Sequence, residues 1–120
     1  MNNLSIAVLD GNLTADPETK QIGQDRTVTN FRVALNHEYG AANTGDGKEF
    51  VSYVPVECWN KLAENCGRYL KKGSRVTVTG DIRQDRWKDN DGHSRSQIKV
   101  IAQRVRFDSS PRKDEDKKAA

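Results

Sequence analysis

The residues that could do covalent chemistry are few, and none of them sits in a working constellation. His37 and His93 are the only histidines, both in glycine-containing loops where a solvated imidazole is expected. Asp89-Asn90-Asp91-Gly92 looks like part of a calcium loop. The EF-hand spacing would then require an aspartate at Trp87 and a glutamate at Ile98, so the match fails. Gly47-Lys48 lacks the upstream glycine and the following Ser/Thr of a phosphate-binding loop. Asn12-Leu13-Thr14 is a sequon, idle without a secretory leader. Cys58 and Cys66 lie eight apart with no second pair, which is neither a disulfide framework nor a zinc spacing. They fall on inward positions of a strand and a helix and are expected as buried, reduced thiols. No nucleophile–base pair, metal set or cofactor motif is present, so an enzyme is not expected.

Aromatic and basic residues offer a different chemistry. Binding single-stranded nucleic acid without sequence preference needs flat π surfaces for bases and cations for the backbone. Trp87 lies in Arg83-Gln-Asp-Arg-Trp-Lys88, flanked by cations and followed by a turn, with no core to enter. Tyr53 and Trp59 share the more polar face of one strand, and Tyr39 ends another strand at a long loop. These four are the candidate stacking platforms; Phe31, Phe50 and Phe107 fall on apolar phases and are assigned to the core. Lys71, Lys72, Arg75, Arg83, Arg86, Lys88, Arg95 and Lys99 supply the cations.

The charge distribution supports the same idea. The net charge is +3, from 20 Lys+Arg against 17 Asp+Glu. Residues 1–67 hold five basic and nine acidic groups, residues 68–107 eleven and four, and residues 108–120 four of each. The middle segment thus stands at +7, a localised feature rather than a generally basic surface.

The elements that must position these residues are short strands. Leu4–Leu9 is a strand closed by Asp10-Gly11-Asn12, residues for which positive φ is cheap. Residues 14–23 read as a loop with at most a short return strand. Phe31, Val33 and Leu35 alternate with polar neighbours, as do Phe50, Ser52, Val54, Val56 and Cys58, which marks two half-buried strands. Pro55 cannot donate to a ladder and marks an edge or a bulge. Leu62, Ala63, Cys66 and Leu70 lie on one helical stripe, and Lys71-Lys72-Gly73 is the expected helix end. Two long strands follow, joined by a hairpin at Lys88–Gly92; Val105 and Phe107 are out of phase with Ile98, Val100 and Ala102, which predicts a bulge near Gln103. This order gives an all-β, five-stranded OB-fold Greek-key barrel, with its helix between the third and fourth strands and a long hairpin of the fourth and fifth. Residues 1–108 are assigned to that domain and 109–120 to a short, disordered, charged tail. No apolar run approaches the ~18 residues of a membrane span, and with no leader at the start the expected location is the cytoplasm, with the nucleoid.

Six blocks in order carry a family resemblance. They are Asp10-Gly-Asn-Leu-Thr-Ala-Asp-Pro-Glu18, Phe31-Arg-Val-Ala-Leu-Asn36, Trp59-Asn-Lys-Leu-Ala-Glu64, Tyr69-Leu-Lys-Lys-Gly-Ser74, Val78-Thr-Gly-Asp-Ile-Arg83 and Trp87-Lys-Asp-Asn-Asp-Gly92. Residues 3–107 resemble a bacterial single-stranded DNA-binding protein of the homotetrameric OB-fold type. The resemblance implies sequence-independent binding of single-stranded DNA in replication, repair and recombination. It implies stacking on Tyr39, Tyr53, Trp59 and Trp87, and phosphate contacts from Lys61, Lys71, Lys72, Arg83, Arg86 and Arg95; Lys61 comes from the resemblance alone. Asp10 replaces an apolar residue of the family, so that strand end is expected to be more exposed. Asp85 stands where the family often has a cation, which predicts weaker phosphate contact there. The sequence stops at Lys117-Lys118-Ala119-Ala120 without the acidic, hydrophobic-tipped tail of many members, so recruitment of other proteins through such a tip is not expected. The competing readings are a dimeric primosomal replication-restart protein and an OB-fold scaffold for protein or saccharide.

Overall fold

The structure is a computed structural model that describes residues 3–38 and 49–109. Six strands form: β1 (Ala7–Leu13), β2 (Glu18–Ile22), β3 (Arg26–Glu38), β4 (Glu49–Trp59), β5 (Arg75–Lys88) and β6 (Ser94–Ser109). The helix α1 (Asn60–Tyr69) lies between β4 and β5. The sheet runs β1-β5-β6-β4-β3-β2, and β1 also pairs with β3, so the ladder closes on itself as a barrel. This is the expected OB-fold with its helix in the expected slot. Glu18–Ile22 is the short return strand, an exposed ribbon antiparallel to β3. Among the described residues no helix is long and apolar enough to cross a membrane. Tyr39, the long loop and the tail from 110 onward lie outside the described residues.

The alternation explains the core. Phe31 and Val33 from β3, Val56 and Cys58 from β4, Val76 and Val78 from β5, and Val100 and Ala102 from β6 are buried together with Leu13. Ala63, Cys66 and Leu70 bring the apolar stripe of α1 onto them. Buried Thr29 donates to the Ala63 carbonyl at 2.7 Å, which ties β3 to the helix. Cys58 and Cys66 are buried free thiols, as expected, with their Sγ atoms 3.8 Å apart. That contact, and then burial, push the Cys58 thiol well above its ordinary range.

The bulge falls where the phase break put it. Thr79 faces Arg104 and Gly80 faces Ala102, so Gln103 is the extra residue on β6. Pro55 behaves as a local edge, because the pairing of β4 with β6 begins only at Val56 and Val100.

Five expectations need correction. His37, expected in a loop, lies in β3 opposite Phe50, with its Nε2 3.0 Å from Ser52 Oγ. Asp10-Gly11-Asn12 does not close the first strand: all three remain in β1, and a Cβ on Gly11 would run into the Ala34 carbonyl and Val33. Close approach to β3, not a turn, is what demands glycine there. Phe50, near the start of β4, is 59% exposed and not part of the core. Phe107 is exposed too, lying beside Tyr69 with ring centroids 6.3 Å apart. Finally, α1 stops at Tyr69, so the cation of its last turn is Arg68. Lys71 and Lys72 instead belong to a turn closed by the Ser74 N–H on the Lys71 carbonyl, with Gly73 at φ 90°.

Gly80 sits against the bulge, where an added Cβ would meet the Ile101 carbonyl. Gly80→Ala is expected to destabilise the fold by about 1–3 kcal/mol, as overpacked sites do. Urea unfolding should show a lower midpoint at unchanged slope.

Candidate nucleic-acid interface

The distal hairpin is built by its own turn. Gly92 at φ 83° lets the chain reverse, and the Asp89 and Gly92 backbone N–H groups donate to the His93 and Asp89 carbonyls. The Asp89 side chain completes the lock. Its Oδ1 accepts the Asp91 and His93 N–H groups at 3.0 and 2.9 Å, and its Oδ2 accepts Arg95 Nε at 2.8 Å. Asp89, Asp91 and His93 lie close enough to suggest a cation cluster, yet both oxygens of Asp89 are already engaged by the turn and by Arg95.

Trp87 stands beside this turn, opposite Arg95, and is 48% exposed. It opens into a groove of about 460 Å³ lined otherwise by Gln84, Arg86, Lys88, Ser94, Arg95 and Ser96. The large ring thus has only polar or cationic neighbours in its groove. Arg86 donates to Gln84 at 3.0 Å and stays exposed.

A second group lies on the outer face of the barrel wall. Tyr53, Pro55, Glu57 and Trp59 alternate along β4 on that face, with Tyr53 exposed and Trp59 half-buried. The Trp59 indole N–H donates to Glu57 Oε2 at 2.6 Å, and the Arg26 guanidinium lies 5.6 Å from the ring centroid. Arg83 also reaches Glu57, at 3.1 Å. Lys99 bridges Glu57 and Asp85, at 2.5 Å from each. Hydrogen bonds from Lys99, together with the charges of Lys99 and Arg83, hold the Asp85 carboxyl below the usual range. Lys61 is exposed on the first turn of α1.

The third group is the turn after α1. Gly73 donates to the Leu13 carbonyl and Leu13 to the Ser74 carbonyl, while the Lys72 N–H donates to Asp16 at 2.8 Å. Lys71 and Lys72 are therefore strapped to the end of β1, before the start of β5. Trp87 lies near the other end of that strand, roughly 40 Å away along it at about 3.3 Å per residue. Among the described residues the candidates thus fall on the hairpin, the barrel wall and the turn, with the turn far from the hairpin.

Glu57 was missed as a member of the site, and Asp85 was read only as weakening a phosphate contact. Alternation put Glu57 on the face of Tyr53 and Trp59, but counting charge by segment placed it in the acidic half, apart from Arg83 and Lys99. Their meeting is a product of strand order, since β6 lies between β4 and β5.

Arg95, and then the His93 N–H, lower the Asp89 carboxyl below its ordinary value. A depressed carboxyl adds stability above its unfolded pKa and loses it as pH falls through its folded value. The turn should therefore stay ordered at pH 5 and loosen only below the usual carboxylate range. The His93 amide proton resonance followed from pH 7 to 2 checks this, and Asp89→Asn should move the transition out of the profile.

Residues 4–108 match the single-strand binding protein family. Single-stranded DNA-binding protein 2 of Chlorobaculum tepidum is 39% identical over 108 residues, covering 89% of this chain and 72% of that protein. A single-stranded DNA-binding protein of Caldanaerobacter subterraneus is 36% identical over 104 residues, covering 87% of this chain and 67% of that one. With the closed barrel, the helix in its slot and the match across nearly all described residues, the chain belongs to the single-strand binding protein family.

Proposed function

We propose that this protein binds single-stranded DNA without sequence preference and coats it during replication, repair and recombination. The observation that carries the reading is Trp87, a half-exposed indole in a groove of polar and cationic side chains. Such a ring is costly to leave in water and is suited to stack on a base, while Arg86 and Arg95 beside it suit the flanking phosphates. Trp59, Tyr53 and Tyr39 extend the stacking path, and Lys61, Lys71, Lys72 and Arg83 extend the phosphate path. Residues 1–108 form the binding unit, and the compartment that fits the ligand is the cytoplasm around the nucleoid.

Tryptophan emission titrated with oligo-dT, with a matched duplex as control, tests this at two salt concentrations. Single strands should quench strongly, duplex weakly, and added salt should reverse the binding. Trp87→Ala should cost about 1–3 kcal/mol of binding at unchanged thermal stability. Full affinity in that variant, or no quenching at low salt, would sink the reading.

Assembly into a homo-oligomer, in the tetrameric form expected of the family, is supported by the first strand. Leu4, Ile6 and Val8 are large apolar residues at alternate positions, and all three are mostly exposed. On its other side β1 pairs with β3 only at Asn12 and Leu13 and approaches it closely at Gly11, so among the described residues its edge from Ala7 to Asp10 has no paired strand. An open edge beside an apolar strip is the form of surface that a second copy of the chain covers. Sedimentation equilibrium should show a multiple of the 13.5 kDa chain, and the double substitution Ile6→Lys, Val8→Lys should lower it. A monomeric parent would contradict the assembly.

A further inference from the structure

The charged set around Glu57 is closed. Glu57 Oε1 takes Lys99, Lys99 takes Asp85, Asp85 takes Arg83 Nε at 3.4 Å, and Arg83 returns to Glu57 Oε2. Two carboxylates and two cations therefore cancel. The set straddles three strands, with Arg83 and Lys99 directly opposite each other on β5 and β6. Its inner half is sheltered, because the side chains of Glu57 and Lys99 are only 8% and 12% exposed. Burial alone would lower the Lys99 ammonium, but Asp85 and Glu57 outweigh it and hold the group above its ordinary value. No buried side-chain polar atom among the described residues lacks a partner, so the sheltered Glu57 and Lys99 leave no buried atom unpaired.

Glu57 also accepts the indole N–H of Trp59, two residues along the same face of β4. One carboxylate therefore sets the tilt of an aromatic platform and the state of two neighbouring cations. A sheltered carboxylate with two cations and an indole donor has no freedom to turn, because each oxygen is already committed.

We propose that Glu57 is a positioning residue for single-stranded DNA: it fixes the Trp59 ring and, with Asp85, withholds Arg83 and Lys99 from the phosphates. The platform is then presented rigid and internally neutralised, and Arg83 offers a phosphate only the Nη1 end that its carboxylates leave. Affinity on this face comes from stacking, and the salt-sensitive part comes from the hairpin and turn cations. The inference rests on the single-stranded DNA reading and refines which cations of that reading are available.

The test is the salt dependence of oligo-dT binding by the full chain, measured by fluorescence anisotropy of labelled oligonucleotide. Glu57→Gln keeps an acceptor for the indole but removes one negative charge, so Asp85 alone faces Arg83 and Lys99 and one of the two positive charges becomes available. The slope of log Kobs against log[salt] should steepen by about 0.7 for each cation released, with tighter binding at low salt. Asp85→Asn, at the exposed end of the set, should steepen the slope without disturbing Trp59, and it decides the matter if Glu57→Gln fails to fold. Glu57→Val removes the indole acceptor as well and should bind more weakly than Glu57→Gln at high salt, where phosphate contacts are suppressed. A purely structural Glu57 would alter thermal stability and leave the slopes alone. Parent-like slopes in folded Glu57→Gln and Asp85→Asn would overturn this inference while leaving the function standing. An unaltered chain that ignores oligo-dT would instead overturn the function, and this inference with it.

Discussion

The fold depends on one strand making two sets of backbone bonds. Along Ala7–Asn12 β1 pairs with β5, and at Asn12 and Leu13 it passes to β3, which turns an open sheet into a barrel. The crossing is possible only because Gly11 leaves room for the Ala34 carbonyl. Closure then places Leu13, Val33 and Val76 in one core, and brings β4, β6 and β5 side by side as a continuous outer wall. Every candidate interface residue on that wall owes its neighbours to this closure.

The electrostatics follow from strand order more than from composition. A +7 segment of the chain suggests a strongly basic surface, but two of its cations spend their charge on Asp85 and on Glu57 from the acidic half. Arg75 is similarly held by Asp10 at 3.0 Å, which gives a role to an aspartate at a position usually apolar in the family. Arg95 orders the turn through Asp89. Under the proposed function, what is left for phosphate is a thinner set of Arg86, Lys88, Lys61, the turn lysines and the Arg95 nitrogens that Asp89 does not take. A protein of this kind has to release the strand it coats, and a moderate electrostatic hold on a firm stacking surface serves that need.

The elements and their order were legible because alternation and turn residues are local signals. Phe31, Val33, Val56 and Cys58 went to the core as their phase required, and even the extra residue at Gln103 showed as a break in period two. Signals that depend on what lies opposite were not legible. The phase of Phe50 is inward, but whether anything covers that end of β4 is a property of the barrel. Gly11 carried the composition of a turn while serving a close approach between strands remote in sequence. The aromatic members of the candidate site could be chosen from their polar surroundings alone. The carboxylates that hold them could not, since the contacts join residue 57 to residues 83 and 99.

The β5–β6 hairpin runs from the centre of the core out past its edge. Val76, Val78 and Gly80 are buried on β5, whereas Ile82 and Trp87 further along are half-exposed and the residues between them stand largely in solvent. One ladder, shifted in register at its bulges, therefore spans two cooperative units of unequal stability. Its proximal half can open only with the whole barrel, while the part beyond Asp85 and Gln97, held by ladder bonds and the Asp89 lock without a core beneath it, can open and reclose alone. The arm that carries Trp87 can thus adapt its path to a flexible polymer while its root stays fixed, and the conformational entropy it gives up on contact is confined to about a dozen residues.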